Sequence, residues 1–321
     1  LELLRVRVAV IAAVALSIVN CPVAYSEELG NQTNTVLERE RPEFDPLGVR
    51  ISSFVMSPTL EVKLDYDDNV LATQNNKRDD LITIASPGVV IASDWNQHSL
   101  RVQGRGKVAR YASNGAEDHE NFEVGADGRI DIQRDFQIVG AINFESASES
   151  RGSVDDAGGR NRTEFSVLSL QTGLKKRWNR GTINVSGGIS HLDFDDVPTG
   201  NGSAIINNDD RDRNEYQTAI RGGYDIQDEY EAFIEVRFDL VEYRSSRDDN
   251  GVSRDSFGYE VRAGSRVDIT GLLFGDIFLG YLDRDYTDTT LASIDAFVAG
   301  LALTWNITPL TTIKAGFSRE V

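Results

Sequence analysis

Cysteine, methionine and proline are scarce in this chain, with one, one and seven copies among 321 residues. The lone cysteine, Cys21, excludes an internal disulfide. No run of about 18 or more apolar residues follows residue 25, which argues against a transmembrane helix in the mature chain. Helix-period segments of useful length are missing too. Bases are outnumbered, 33 against 51 acids, for a formal net charge of -18. Nucleic-acid binding needs clustered Lys and Arg, so no nucleic-acid partner is expected. Glycine is plentiful, 28 copies, which suits a β-rich chain with many turns.

The first residues supply a compartment. Arg5 and Arg7 precede an apolar run from Val8 to Val19, and Ala24 and Ser26 are the small residues a signal peptidase reads, so residues 1–26 form a secretory signal peptide. Cys21 falls before that cleavage point. A lipoprotein reading of Cys21 is the alternative, with Asn20 standing where a small residue is wanted. Residues 27–52 are polar and aperiodic at first and read as a periplasmic lead or linker.

From there on the period is two. In "LRVQGRGKVARY", Leu100, Val102 and Val108 share one face, and Arg101, Gln103, Arg105 and Lys107 share the other. "NFEVGADGRIDI" separates Phe122, Val124 and Ile130 from Glu123, Asp127, Arg129 and Asp131. Later segments repeat the division, with Arg221, Glu235, Arg237, Asp239, Glu260, Arg262, Arg266 and Asp268 on the polar side. About 13 such segments can be counted, each near the ~10 residues that a tilted strand needs to cross a bilayer. One stretch, "ISHLDFDD", breaks the alternation at Ile189 and Leu192 as a bulge would.

Alternation alone fits a soluble sandwich nearly as well, so the connections decide. Long polar loops alternate with tight turns along the whole chain, as in an outer-membrane barrel with short periplasmic turns and long external loops. Trp95, Trp178 and Trp305 fall beside short turns, while Tyr66, Tyr111, Tyr216, Tyr243, Tyr259 and Tyr286 sit where strands meet long loops. Two interfacial aromatic belts give that pattern; the strand preference of aromatics is the competing cause. The expected fold is all-β: an antiparallel up-and-down transmembrane β-barrel over residues 53–321, with about 14–16 strands when complete. The final segment, "LTTIKAGFSREV", ends inside a strand, so the last strands are expected to lie beyond this sequence. The sixteen polar-face residues named above are then the expected pore lining, with outer-membrane lipid and lipopolysaccharide outside.

Site chemistry is sparse. Six Asp–Asp pairs, from Asp67-Asp68 to Asp248-Asp249, fall at long loops, where they could bridge Ca²⁺ or Mg²⁺ to lipopolysaccharide phosphates or simply keep the loops solvated; the second is expected, and no metal site is assigned. His191 shares a face with Asp193 but not with Ser190, which breaks a hydrolytic triad. No cofactor, catalytic residue or enzymatic role is expected.

"RPEFDPLGVRISSFVMSPTLEVKLDYDDNV", followed by "DDLITIASPGVVIASDWNQHSLRV", resembles a family of outer-membrane β-barrel porins of Gram-negative bacteria. The matching features are the RPxFDPLG lead at Arg41 to Gly48, the YDDN of Tyr66 to Asn69, the IxPGV-like strand at Ile84 to Val89 and the DWxxH turn at Asp94 to His98. Some relatives lie in exopolysaccharide or capsule gene clusters. The resemblance therefore implies a bacterial outer-membrane location and a link to polysaccharide export machinery. Two functions stay open: a passive or gated channel for polysaccharide or small solutes, and a non-conducting barrel that anchors an envelope or export complex.

Overall fold

The structure, a computed structural model, describes residues 47–319 except 154, 155, 157, 270, 271 and 309. The expected signal peptide, Cys21 and the expected lead up to residue 46 lie outside the described residues.

The period-two pattern folds into strands throughout, joined by loops and two single-turn 3-10 helices. In chain order the strands are β1 Val49–Ile51, β2 Phe54–Asp67, β3 Asp80–Ser93, β4 Ser99–Tyr111, β5 His119–Gln133, β6 Phe136–Ser148, β7 Glu164–Trp178, β8 Gly181–Phe194, β9 Val197–Pro198, β10 Ile205–Ile206, β11 Arg213–Gln227, β12 Tyr230–Tyr243, β13 Ser256–Ile269, β14 Leu273–Tyr286, β15 Ile294–Thr308 and β16 Thr311–Arg319. Fourteen of them form one sheet in strict chain order from β1 to β16, and β9 pairs only with β10, inside the loop that links β8 to β11. Every pairing in the sheet is antiparallel, the up-and-down topology expected. β1 falls within the stretch read as a lead: Val49 pairs with Met56, so the sheet begins before residue 53.

The register sorts the side chains into two faces. One row runs Met56, Ile91, Val102, Ala126, Ile142, Leu170, Ile189, Tyr216, Leu240, Phe257, across ten consecutive strands without a polar residue. A second runs Ile130, Ile138, Leu174, Val185, Ile220, Val236, Val261, Tyr281, Phe297. These side chains are exposed or half-buried: Phe297 keeps 74% and Ile234, on the same face, 61% of its surface. An apolar area of that extent is not stable against water, and it matches hydrocarbon. The opposite face is charged, and Glu235, Glu260 and Arg262 are buried within it.

Short turns close one end of the sheet. Gln133 pairs with Phe136, Trp178 with Gly181 and Gln227 with Tyr230. The turn after β7 puts Asn179 at a φ of +48°, in the left-handed region that asparagine tolerates better than most side chains. Register shifts fall beside short turns, at Asp131/Gln133, Asp225/Gln227 and Asn306/Thr308. β8 has none, which corrects the bulge expected near Leu192. The alternation breaks there because Leu192 and Phe194 point to the charged face and are buried under the long loops.

A lysine at Ile220, in the middle of β11, is expected to destabilise the protein in phospholipid bilayers by about 2–4 kcal/mol. Gln217→Lys, on the charged face of the same strand, should cost far less. Urea unfolding in liposomes reads both, and equal costs would contradict the two-face assignment.

Candidate pore lining and long-loop mouth

The register gathers all sixteen residues expected to line a pore on the charged face. Arg101 stands opposite Asp127 and Arg105 opposite Glu123, with Gln103 and Lys107 in step on β4 and Arg129 and Asp131 on β5. Arg221 faces Glu235, which faces Arg262, and Arg237 faces Glu260. Asp239, Arg266 and Asp268 complete the set on β12 and β13.

Two regions of this face differ in how their charge is held. On β11–β14 the arginines are matched by acids. Arg266 Nε lies 3.0 Å from Asp276 Oδ1, Arg262 Nη2 2.8 Å from Glu260 Oε2, and Arg284 Nη2 reaches Asp239 Oδ2 at 2.7 Å. Arg237 pairs with Glu235 on the same strand. Arg221 sits among Glu231, Glu235 and Asp276 at 3.6–4.0 Å. Its guanidinium lies 3.6 Å from the ring centre of Phe233, and that of Arg262 lies 4.5 Å from the ring of Phe278. The rings lie flat on the sheet because glycines sit beneath them: a Cβ on Gly264 would come 2.6 Å from Phe233 Cζ, and one on Gly300 would overlap Phe278. β4 is the contrast. Arg101, Arg105 and Lys107 are exposed and, among the described residues, have no carboxylate within ion-pairing distance.

At the long-loop end the same face is covered by folded loops. Val70, from the loop after β2, packs onto Ile82 of β3 and Ala109 of β4, with Leu71, Ile84 and Tyr111 around them. Phe165, Val167, Leu192 and Phe194 form a second apolar cluster, with the Arg211 guanidinium 4.1 Å from the ring centre of Phe194. Ion pairs then chain the loops together. Glu117, in a 3-10 turn over Gly115–Glu117, accepts from Arg151 Nη2 at 2.8 Å and from Arg162 Nε at 3.1 Å, while Arg162 Nη2 donates to Tyr111 Oη at 2.8 Å. Burial is the largest influence on Arg151 and opposes its charge, but the Glu117 hydrogen bonds and the charges of Glu117 and Asp156 together outweigh it, so its affinity for the proton rises. Arg211 pairs with Glu149, and Arg254 joins Asp248 at 2.6 Å to Asp210 at 3.7 Å.

The aromatic belt needs correction. Tyr66, Tyr216 and Tyr259 lie on the apolar face, and Trp178 and Trp305 are exposed there beside short turns. Trp95 lies in the turn before β4 and packs edge-on against Phe54 at 5.5 Å. Tyr111, Tyr243 and Tyr286 have the other parity and point to the charged face, where they cannot meet lipid. Proximity to a strand end located them, and parity, also legible in the sequence, would have excluded them.

Among the described residues no group of three or more His, Cys, Asp or Glu is placed to hold a metal ion. Several carboxylates of the acidic pairs are occupied in bracing loops: Asp80 accepts from the backbone of Leu81, Ser113 and Asn114, Asp196 from Asn208 N, and Asp248 from Asn250 N and Val252 N. Ser190 bonds to Ser169 at 2.9 Å on the charged face, and His191 bonds to Asn214 at 2.9 Å on the other.

A family model described as "Putative beta-barrel porin 2" matches residues 41–321. Among solved structures, the chain is similar to an outer membrane channel from Pseudomonas putida F1, with 12% identity, 79% of this chain and 96% of that one covered, and a TM-score of 0.39. It is similar to the ferric-catecholate import receptor Fiu from E. coli K12 in its open form, at 9% identity, 85% and 61% coverage and a TM-score of 0.47. Outer-membrane expressed OmpT of Vibrio cholerae gives 10% identity, 84% and 99% coverage and a TM-score of 0.39. No curated protein matches the chain.

Glu117→Gln leaves the buried Arg151 and the partly buried Arg162 facing a neutral amide, and it should lower the local opening free energy around these two arginines by about 3 kcal/mol. Trypsin cleavage at Arg151, Arg160 and Arg162 would then accelerate by two orders of magnitude or so; an unchanged cleavage rate would show that the clamp does not hold the loop. The loop after β12 has its own pH window. Hydrogen bonds from Val252 N, Arg254 and Asn250 N hold the Asp248 carboxyl below the ordinary carboxylate range. Its contribution is therefore complete above that range and fades as pH falls through the lowered value. Amide protection at Gly251 and Val252 should persist at pH 5 and drop in stronger acid, and a loss already at pH 5 would contradict the assignment.

Proposed function

Because the chain belongs to the beta-barrel porin 2 family and resides in the bacterial outer membrane, we propose that it is a water-filled channel without enzymatic activity, passing small hydrophilic solutes across that membrane. The reading is carried by one observation: three cations of β4 stand exposed on the charged face and, among the described residues, none is closed into an ion pair, although Asp127 and Glu123 stand across from Arg101 and Arg105. A cation kept for stability is normally paired, since an uncompensated charge must be hydrated. Water along β4 supplies that hydration, and a lumen supplies the water. Mixed-sign side chains on β5 and β11–β14 then tune which solutes pass. Polysaccharide is the finer reading, supported by the family resemblance of residues 41–135.

A specific observation favours the structural alternative. The paired arginines of β11–β14 and the loops folded onto the mouth would also suit a closed barrel that anchors a complex.

Single-channel recording of the full-length protein in planar bilayers separates the two. Discrete conductance steps are expected, and replacing Arg101, Arg105 and Lys107 by glutamate should shift the reversal potential in a salt gradient toward cation preference. An electrically silent protein that is folded by heat-modifiability would discard the channel.

A further inference from the structure

Tyr243 and Tyr286 are unexplained by membrane anchoring, because both point to the charged face at the long-loop end. They line an open cleft of about 670 Å³ between that face and the loops after β12 and β14. The volume falls in the range of organic-ligand sites. Val241 pairs with Ser256 and Ser256 with Tyr286, so Tyr286 stands in the row two residues along from Tyr243, with β13 between their strands and about 10 Å across the sheet. A ligand touching both must be longer than a single ring.

The polar lining is charged but internally neutralised. Arg213 is held by Glu215 at 2.7 Å, Arg254 by Asp248 at 2.6 Å and Arg284 by Asp239 at 2.7 Å. Each pair sets planar N–H donors beside carboxylate acceptors, the combination that binds a hydroxyl through both its hydrogen and its lone pairs. Leu291 and Ile294 add apolar wall.

We propose that this cleft is a subsite for a short neutral oligosaccharide, whose C–H faces stack on Tyr243 and Tyr286 and whose hydroxyls bond the arginine–carboxylate pairs. Matched charges give a carboxylated or phosphorylated solute no free cation here, and stacking on two rings at low entropic cost selects an extended, semi-rigid ligand. The proposal rests on the channel reading in that the cleft opens onto the same charged face.

The test is calorimetric titration of the full-length protein in detergent with maltotriose, cellotriose, chitotriose and the acidic trigalacturonate, alongside single-channel recording with each sugar on the loop side. Binding of at least one neutral trisaccharide is expected, weakened roughly tenfold or more by Tyr243→Ala and by Tyr286→Ala and largely retained in the Tyr→Phe variants, all checked for folding by heat-modifiability. The proposal is overturned if no neutral trisaccharide binds, if trigalacturonate alone binds, or if neither alanine variant changes the affinity. Tyrosine-dependent binding to an electrically silent protein upholds the subsite and discards the channel; conductance without binding does the reverse.

Discussion

In hydrocarbon no water completes an unpaired N–H or C=O, so a strand can cross only if each neighbour takes up its backbone groups. From that constraint follow the long antiparallel ladders, the absence of polar residues in the row from Met56 to Phe257, and the confinement of register shifts to the turn end of the sheet. Side-chain direction follows from the same pleat: once one parity faces lipid, the other must accommodate every charge the strands carry.

The charged face meets that obligation in two ways. On β11–β14 the arginines are matched by acids, and two of them, Arg221 and Arg262, lie over the rings of Phe233 and Phe278. On β4 the cations stand in the open. The long loops add a third device, since Glu117, Glu149 and Asp248 tie successive loops to one another through arginines while Val70 and Phe194 anchor them to the sheet. A mouth built in this way has a defined shape, which a set of merely solvated loops would lack.

Fold class and strand order were legible because the two-residue period is long and uninterrupted and because turn lengths alternate. That the sixteen polar-face residues share one face was legible for the same reason: parity alone groups Arg101 with Asp127 and Glu235 with Arg262. The tyrosines were misplaced where position along a strand was weighed above parity, as Tyr111, Tyr243 and Tyr286 show. Leu192 was misread because an apolar residue on the polar parity looks like a slip, when with Phe194 it marks a patch that a loop covers. The Glu117–Arg151–Arg162 clamp was out of reach of sequence. Its members sit in different loops, and nothing local distinguishes Glu117 from the other acids of the chain.

The most direct test of the account is a cysteine scan along β11 from Tyr216 to Tyr224, in a Cys21→Ser background, with spin labels read in liposomes against oxygen and a water-soluble nickel reagent. The account predicts that Tyr216, Thr218, Ile220, Gly222 and Tyr224 favour oxygen while Gln217, Ala219, Arg221 and Gly223 favour nickel. Accessibilities that do not alternate with a period of two would contradict it.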